Sequence, residues 1–219
     1  MNILDKQILL KKELIKRKIP SNLSLNERKL FIEDKFNKAP NFYLVKLKNV
    51  IINKNGLPVL KDKALIHDYL DLDSLRNLKF FKKIILLLKY KFNIILDRLD
   101  LSNKVKILNE AVFVNNRHSN GYFHWVSDTL PKIIYLEKNK FLNKKKILIN
   151  LNYKSFQKEY CKKVNSNKFI FQKKNTKIFV KNFYYLSKIH NSGNPRKQSI
   201  SLIRDFFLKK NKPKKKNIY

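Results

Sequence analysis

An open α/β sheet with parallel strands is the fold this sequence predicts, and three observations predict it. Between residues 146 and 209, short apolar runs alternate with amphipathic helical stretches, the pattern of strands joined through crossover helices. Ahead of that region, an Asn55-Gly56 pair separates two apolar runs, which predicts a hairpin. A chain of 219 residues also suffices for one sizeable domain with a buried core, or for two small ones.

Taken in order, residues 1–40 read as a helical N-terminal extension. Lys- and Leu-rich periodicity runs over 5–18, and Pro20-Ser21 and Ala39-Pro40 act as breakers. Residues 43–52 read as a strand, Asn53-Lys54-Asn55-Gly56 as a turn and 57–60 as the returning strand. A helix over 74–96 carries the basic-aromatic runs Lys79-Phe80-Phe81-Lys82-Lys83 and Lys89-Tyr90-Lys91-Phe92. Such a helix either packs on the core or lies on a membrane surface. Residues 105–108 and 111–114 read as short strands, and 122–138 as a helix. Pro131 inside that helix removes a backbone donor and predicts a kink near Ser127 or Asp128. Strands over 146–150, 169–171 and 178–186, and helices over 155–164 and 196–209, complete the alternation. Residues 209–219 form a basic linker, and the sequence has no internal repeat.

The formal charge of +34 invites a nucleic-acid partner. Only seven of the fifty basic residues are arginine, however, and base and phosphate readers rely on arginine's bidentate geometry. The lysines travel with abundant Asn and Ile, as AT-rich coding dictates, so most of the charge reads as a solvated surface with no specific nucleic acid. The remainder suits an anionic membrane face or a nucleotide diphosphate. The single Cys161 excludes an internal disulfide and a cysteine metal cluster, which points to a reducing compartment. The N-terminus has no signal-peptide core, and the most apolar run, 84–88, is too short to span a bilayer. A cytoplasmic location is expected.

The most informative stretch is Asn120-Gly121-Tyr122-Phe123-His124-Trp125-Val126-Ser127-Asp128-Thr129-Leu130-Pro131-Lys132, which holds the only Trp. On a helix His124 and Asp128 share a face, one turn apart. A carboxylate bonded to an imidazole fixes its tautomer and raises its basicity, as a general base requires. The same pair would equally serve as a buried contact holding the kink. A Ser127–His124–Asp128 triad is excluded, because three members on one helical turn lack the needed linear geometry and no G-x-S-x-G elbow is present. His118 and His124, six apart with no third ligand nearby, make a poor metal site. With glycine only at 56, 121 and 193, no Gly-rich phosphate loop can form.

The run from Tyr122 to Lys132 resembles the N-Y-F-H-W-x-x-D-x-L-P-R signature of glycosyltransferase family 61, the bacterial capsule and lipopolysaccharide-type enzymes. His190-Asn191-Ser192-Gly193-Asn194-Pro195 is similar to a downstream segment of that family, and Lys216-Asn217-Ile218-Tyr219 to the start of its next strand. The resemblance covers roughly residues 43–219. Gly121 is inserted before the aromatic pair, and Lys132 stands where arginine is usual. Asp71-Leu72-Asp73 matches the D-x-D of some glycosyltransferases, but it opens an expected helix, where acids are favoured anyway.

The resemblance implies a Rossmann-like open sheet, the N-terminal half of a two-domain glycosyltransferase type B architecture. Residues 41–208 would be the acceptor-side domain, with the donor domain missing beyond 209–219. It implies inverting transfer of a sugar from a nucleotide-sugar to a polysaccharide or glycolipid acceptor, without a metal or other cofactor. His124 and Asp128 would be catalytic, and Asn120, Tyr122 and Trp125 substrate-binding, with Tyr122 and Trp125 either packing or stacking on sugar. This chain alone is then expected to show little activity, at the inner face of the cell membrane. Two readings from other classes stand beside it: a lysine-rich nucleic-acid-binding protein, and a non-catalytic scaffold in envelope-polysaccharide synthesis.

Overall fold

The computed structural model describes residues 3–60, 104–149, 153–191 and 195–210, less 17, 20, 34, 35, 117 and 142–144. It also describes 63, 64, 81, 82, 84, 85, 88, 92 and 95. In chain order the strands are β1 (Ile3–Leu10), β2 (Glu13–Lys16), β3 (Phe36–Ala39), β4 (Phe42–Ile52), β5 (Pro58–Leu60), β6 (Lys63–Ala64), β7 (Lys104–Phe113), β8 (Lys146–Ile149), β9 (Phe169–Phe171) and β10 (Thr176–Leu186). Helix α1 is Leu25–Glu33. Helix α2 comprises Tyr122–His124, a π-helical turn Trp125–Thr129 and Leu130–Lys138. Helices α3 (Ser155–Asn165) and α4 (Lys197–Lys210) follow.

The chain is mixed α/β. Eight strands form one sheet in the order β6-β5-β4-β10-β7-β8-β9, with β1 also paired to β4. Strands β10, β7, β8 and β9 are mutually parallel. Crossovers through α2 and α3 enforce this for the last three, because a parallel return needs a long connection. The β4 ladders to β1, β5 and β10 are antiparallel, so the expected parallel sheet holds for one half only. The expected hairpin is present: Gly56 takes φ 79°, and Asn53 Oδ1 accepts from the amides of Asn55 and Leu57. The two short strands expected over 105–114 are one continuous β7.

A helical extension over 1–40 is not what forms. Residues 3–10 pair with β4 from Ile3 opposite Leu47 to Leu10 opposite Phe42, and Glu13–Lys16 pairs with Phe36–Ala39. Pairing with a long, distant strand edge overrides local helix propensity there. Among the described residues of this stretch only α1 is helical, opened by a capping box in which Ser24 and Glu27 exchange side-chain-to-backbone bonds.

Successive residues at the ends of β7, β8 and β10 alternate between two cores, and both faces are buried. Ala111, Phe113 and Leu148 join a cluster whose described members come from strands and the β4–β5 turn. Val112, Val114, Ile147 and Ile149 face Trp125, Ile133 and Leu136 of α2 and Cys161 of α3. Strands buried on both sides read as near-continuous apolar runs, as 111–114 and 147–149 do. Gln172, just past β9, donates to the carbonyls of Asn53 and Thr176 at the far end of the β4–β10 ladder, so the long strands curl back over the first core.

The described residues between 81 and 95 are helical and exposed. The rest of the helix expected over 74–96, the Asp71-Leu72-Asp73 motif and the tail 211–219 lie outside the described residues. No described helix is long and apolar enough to cross a membrane.

Candidate functional site

Proline 131 organises the site. It has no N–H, so the Ser127 carbonyl, four residues earlier, loses its α-helical donor. The helix responds with a π-turn over Trp125–Thr129, closed by the Leu130 amide on Trp125 O. The π-turn falls where a kink is expected, near Ser127 or Asp128, and such turns recur at functional sites. The freed Ser127 carbonyl accepts from His190 Nε2 at 3.0 Å. His190 arrives just beyond the end of β10, and β10 lies beside β7 in parallel.

Asp128 is the hub. Its Oδ2 lies 3.0 Å from His124 Nδ1 and 3.5 Å from the Asn116 amide nitrogen. Its Oδ1 accepts from the Ser127 hydroxyl and lies 3.6 Å from His190 Nε2. The expected His124–Asp128 pair is therefore formed. The Asp128 side chain is 9 % exposed and that of His124 30 %, so the imidazole reaches solvent while the acid is sheltered. The ring of His118 stands 5.1 Å from that of His124.

The loop after β7 carries His118 and Asn116 into this cluster and is held at several points. Asn116 Oδ1 accepts from the His118 amide at 2.9 Å and from Ser119 Oγ at 3.0 Å. Ser119 Oγ in turn accepts from the Asn116 amide and lies 2.8 Å from Thr129 Oγ1. Gln157 of α3 donates to Ser119 O at 2.7 Å. Lys132, where the resemblance leads one to expect arginine, is buried and donates to Val114 O at 3.3 Å. The cluster thus sits outside the carboxyl ends of two adjacent parallel strands, the position where open α/β sheets bind ligands.

Burial holds the His190 pKa down at about 4, against a favourable Asp128 and with unfavourable Lys132, Arg196 and Lys188. His190 is therefore neutral. With its Nε2 proton on Ser127 O, its buried Nδ1 finds no partner among the described residues. Burial also pushes the Cys161 thiol up to about 12, which leaves it a packing residue.

Of the two roles expected for Trp125, packing and stacking on sugar, its position fits the first. It is fully buried in the core against α3 and β7, so it packs and cannot stack on a sugar. Tyr122 is exposed, but its hydroxyl lies 3.0 Å from that of Tyr160 on α3 and its ring packs edge-on to Phe156. Asn120 is half-buried in the turn before α2. His190 was missed as a member of the cluster. Its sequence signal was confined to the downstream segment His190–Pro195, and only the strand order brings it to Asp128. A cleft of about 450 Å³ lies elsewhere, between β1, α2 and α4, lined by Tyr135, Lys138, Lys197 and Asp205 among others. None of the Asp128 cluster lines it. Among the described residues no group of three His, Cys, Asp or Glu is disposed to hold a metal ion.

Comparison with protein-family models, curated proteins and solved structures gives no match.

Proposed function

We propose that this chain takes part in inverting transfer of a sugar from a nucleotide-sugar donor to a hydroxyl of a polysaccharide or glycolipid acceptor. The observation that carries the reading is the 3.0 Å His124–Asp128 contact, its imidazole partly open to solvent and its acid sheltered, outside the ends of β7 and β10. The mixed α/β sheet is compatible with a Rossmann-like, acceptor-side domain of the type B architecture.

In this reading His124 Nδ1–H donates to Asp128, whose charge is steadied by the Ser127 hydroxyl and the Asn116 amide. The Nε2 lone pair then takes the proton of the acceptor hydroxyl. The acceptor oxygen forms its bond to the anomeric carbon as the bond to the nucleoside diphosphate breaks on the opposite face. Positioned proton transfer of this kind contributes roughly 10² to 10⁴ in rate. Neutral His190 acts behind the pair, holding the π-turn that sets the Asp128 carboxylate. The reaction needs no metal in this scheme, and the site of work is the cytoplasmic face of the membrane.

The test is replacement of the resident gene in its own cell by His124→Ala or Asp128→Asn. Loss of surface polysaccharide at an unchanged level of folded protein is the expected result. Polysaccharide of normal amount and structure in both strains would overturn the reading and leave a scaffold role. His190→Gln, which keeps a donor for Ser127 O, is expected to retain most of the product.

A further inference from the structure

Six large apolar side chains stand exposed within fifteen residues: Phe81, Ile84, Ile85, Leu88, Phe92 and Ile95. All six positions are helical, and the steps of three and four between them place them on one face. Phe81 is 76 % exposed and Ile84, the least exposed, 37 %. A stripe that packed on the core would be withdrawn from water. Here it faces solvent.

Every charged residue around the stripe is basic. Lys79, Lys82, Lys83, Lys89 and Lys91 are interleaved with the apolar residues, and no acid occurs between Asp73 and Asp97. Lys82 is itself exposed, one position off the apolar face. We infer that the stripe Phe81, Ile84, Ile85, Leu88, Phe92 and Ile95 docks the protein on an anionic lipid surface, with these side chains sunk among the acyl chains and the exposed Lys82 at the headgroups.

Charge selects this occupant over the others. A second copy laid on the stripe would bring the same lysines together, on a chain that already carries +34. A nucleic acid would satisfy the lysines and leave the stripe in water. An anionic bilayer meets both needs, because lipid binding grows with buried apolar area and with basic residues near the surface. The inference stands apart from the sugar-transfer reading and survives its failure.

The experiment is flotation of the full chain with vesicles of phosphatidylcholine containing about one third phosphatidylglycerol, in low salt and at about 0.5 M salt, where surface charge is largely screened. Wild type is expected to float in low salt and to retain part of its binding in high salt. The triple substitution Ile85→Ser, Leu88→Gln, Phe92→Ser leaves the charge unchanged and is expected to weaken binding by roughly tenfold or more. Since all three residues are exposed, circular dichroism of the variant is expected to match wild type. Equal binding of variant and wild type would overturn the inference in favour of charge alone, and absence of flotation would overturn it outright. A wild-type dimer in sedimentation that the variant converts to monomer would assign the face to a second copy instead.

Discussion

Two buried polar centres, one around Arg196 and one around Asp128, are built on opposite plans. Around Arg196 the hydrogen bonds end on backbone: Nε donates to Ile189 O at 2.6 Å, Nη1 to Lys11 O at 2.8 Å, and Nη2 to Pro40 O, with the Glu13 carboxylate 3.7 Å from Nη1. The three carbonyls belong to the segment after β10, the β1–β2 link and the β3–β4 link, so one guanidinium ties three connections together. Around Asp128 the bonds run mainly between side chains, and one member, His124, keeps an edge in solvent. Carbonyl partners leave a cation nothing to exchange. An imidazole against a sheltered carboxylate can still pass a proton. The contrast separates a clamp from a site more sharply than burial alone, since both centres are largely withdrawn from water.

The hardest way to break the comparison is at the clamp. Arg196→Met is expected to destabilise the fold by about 3–5 kcal/mol, because three carbonyls lose a buried charged donor at once. Arg196→Lys should also be clearly destabilised, since an ammonium cannot reach three carbonyls in a plane. Urea unfolding followed by circular dichroism measures both. A change under about 1 kcal/mol in the Met variant would mean the guanidinium is not the tie described.

His190 gives the next effect, this time through pH. Its folded pKa, about 4, is lowered from the ordinary 6.5, so between those values the unfolded chain holds a proton that the folded chain does not. Its contribution is fully present above pH 6.5 and is lost as pH falls towards 4, by up to roughly 3 kcal/mol. Thermal unfolding of wild type and His190→Gln at steps between pH 7 and pH 5 isolates the effect from the carboxylates. The wild-type curve is expected to fall more steeply than that of the variant. Parallel curves would show that the folded and unfolded chains protonate His190 alike, so that burial does not lower its pKa.

These expectations expose what the sequence did and did not make legible. The hairpin at Asn53–Gly56 could be read because its cause is local: a glycine with positive φ and an Asn side chain folded back on two amides. The π-turn could be read as a kink because Pro131 announces the missing donor four residues downstream of Ser127. The His124–Asp128 pair followed from helical spacing alone. Residues 3–16 could not be read, because their strand character comes from β4 and β3, partners distant in sequence. His190 could not be placed for the same reason. The proline shows that Ser127 O needs a donor, while only the parallel pairing of β10 with β7 supplies which one.

A smaller effect tests the loop that presents the site. Ser119→Ala removes the hydroxyl that holds Asn116 and meets Thr129, and strands a buried Thr129 hydroxyl. The expected loss is about 1–2 kcal/mol. The Asn116 contact to Asp128 should loosen with it, so surface polysaccharide should fall while Arg196-dependent stability stays intact. Unchanged stability would mean that the loop is held by its remaining bonds, those of Asn116 and Gln157.

The smallest effect is expected at the residue that looks most unusual in sequence, the Gly121 inserted ahead of the aromatic pair. Its φ of −80° and ψ of 139° suit any residue, and it serves as the N-cap of α2 without a side-chain bond. A Cβ there would meet His118 O at 3.5 Å and His124 Cδ2 at 3.7 Å, both ordinary contacts. Gly121→Ala should therefore cost about 0.5 kcal/mol, the modest penalty of alanine at an N-cap. Its new methyl touches the imidazole edge that faces away from Asp128, so the 3.0 Å contact at Nδ1 is expected to persist. Unfolding by urea measures the first expectation and the imidazole NMR shifts of His124 the second. A loss of several kcal/mol, or a displaced His124 signal, would mean that the turn before α2 is set by glycine and not by the bonds of Asn116, Ser119 and Gln157.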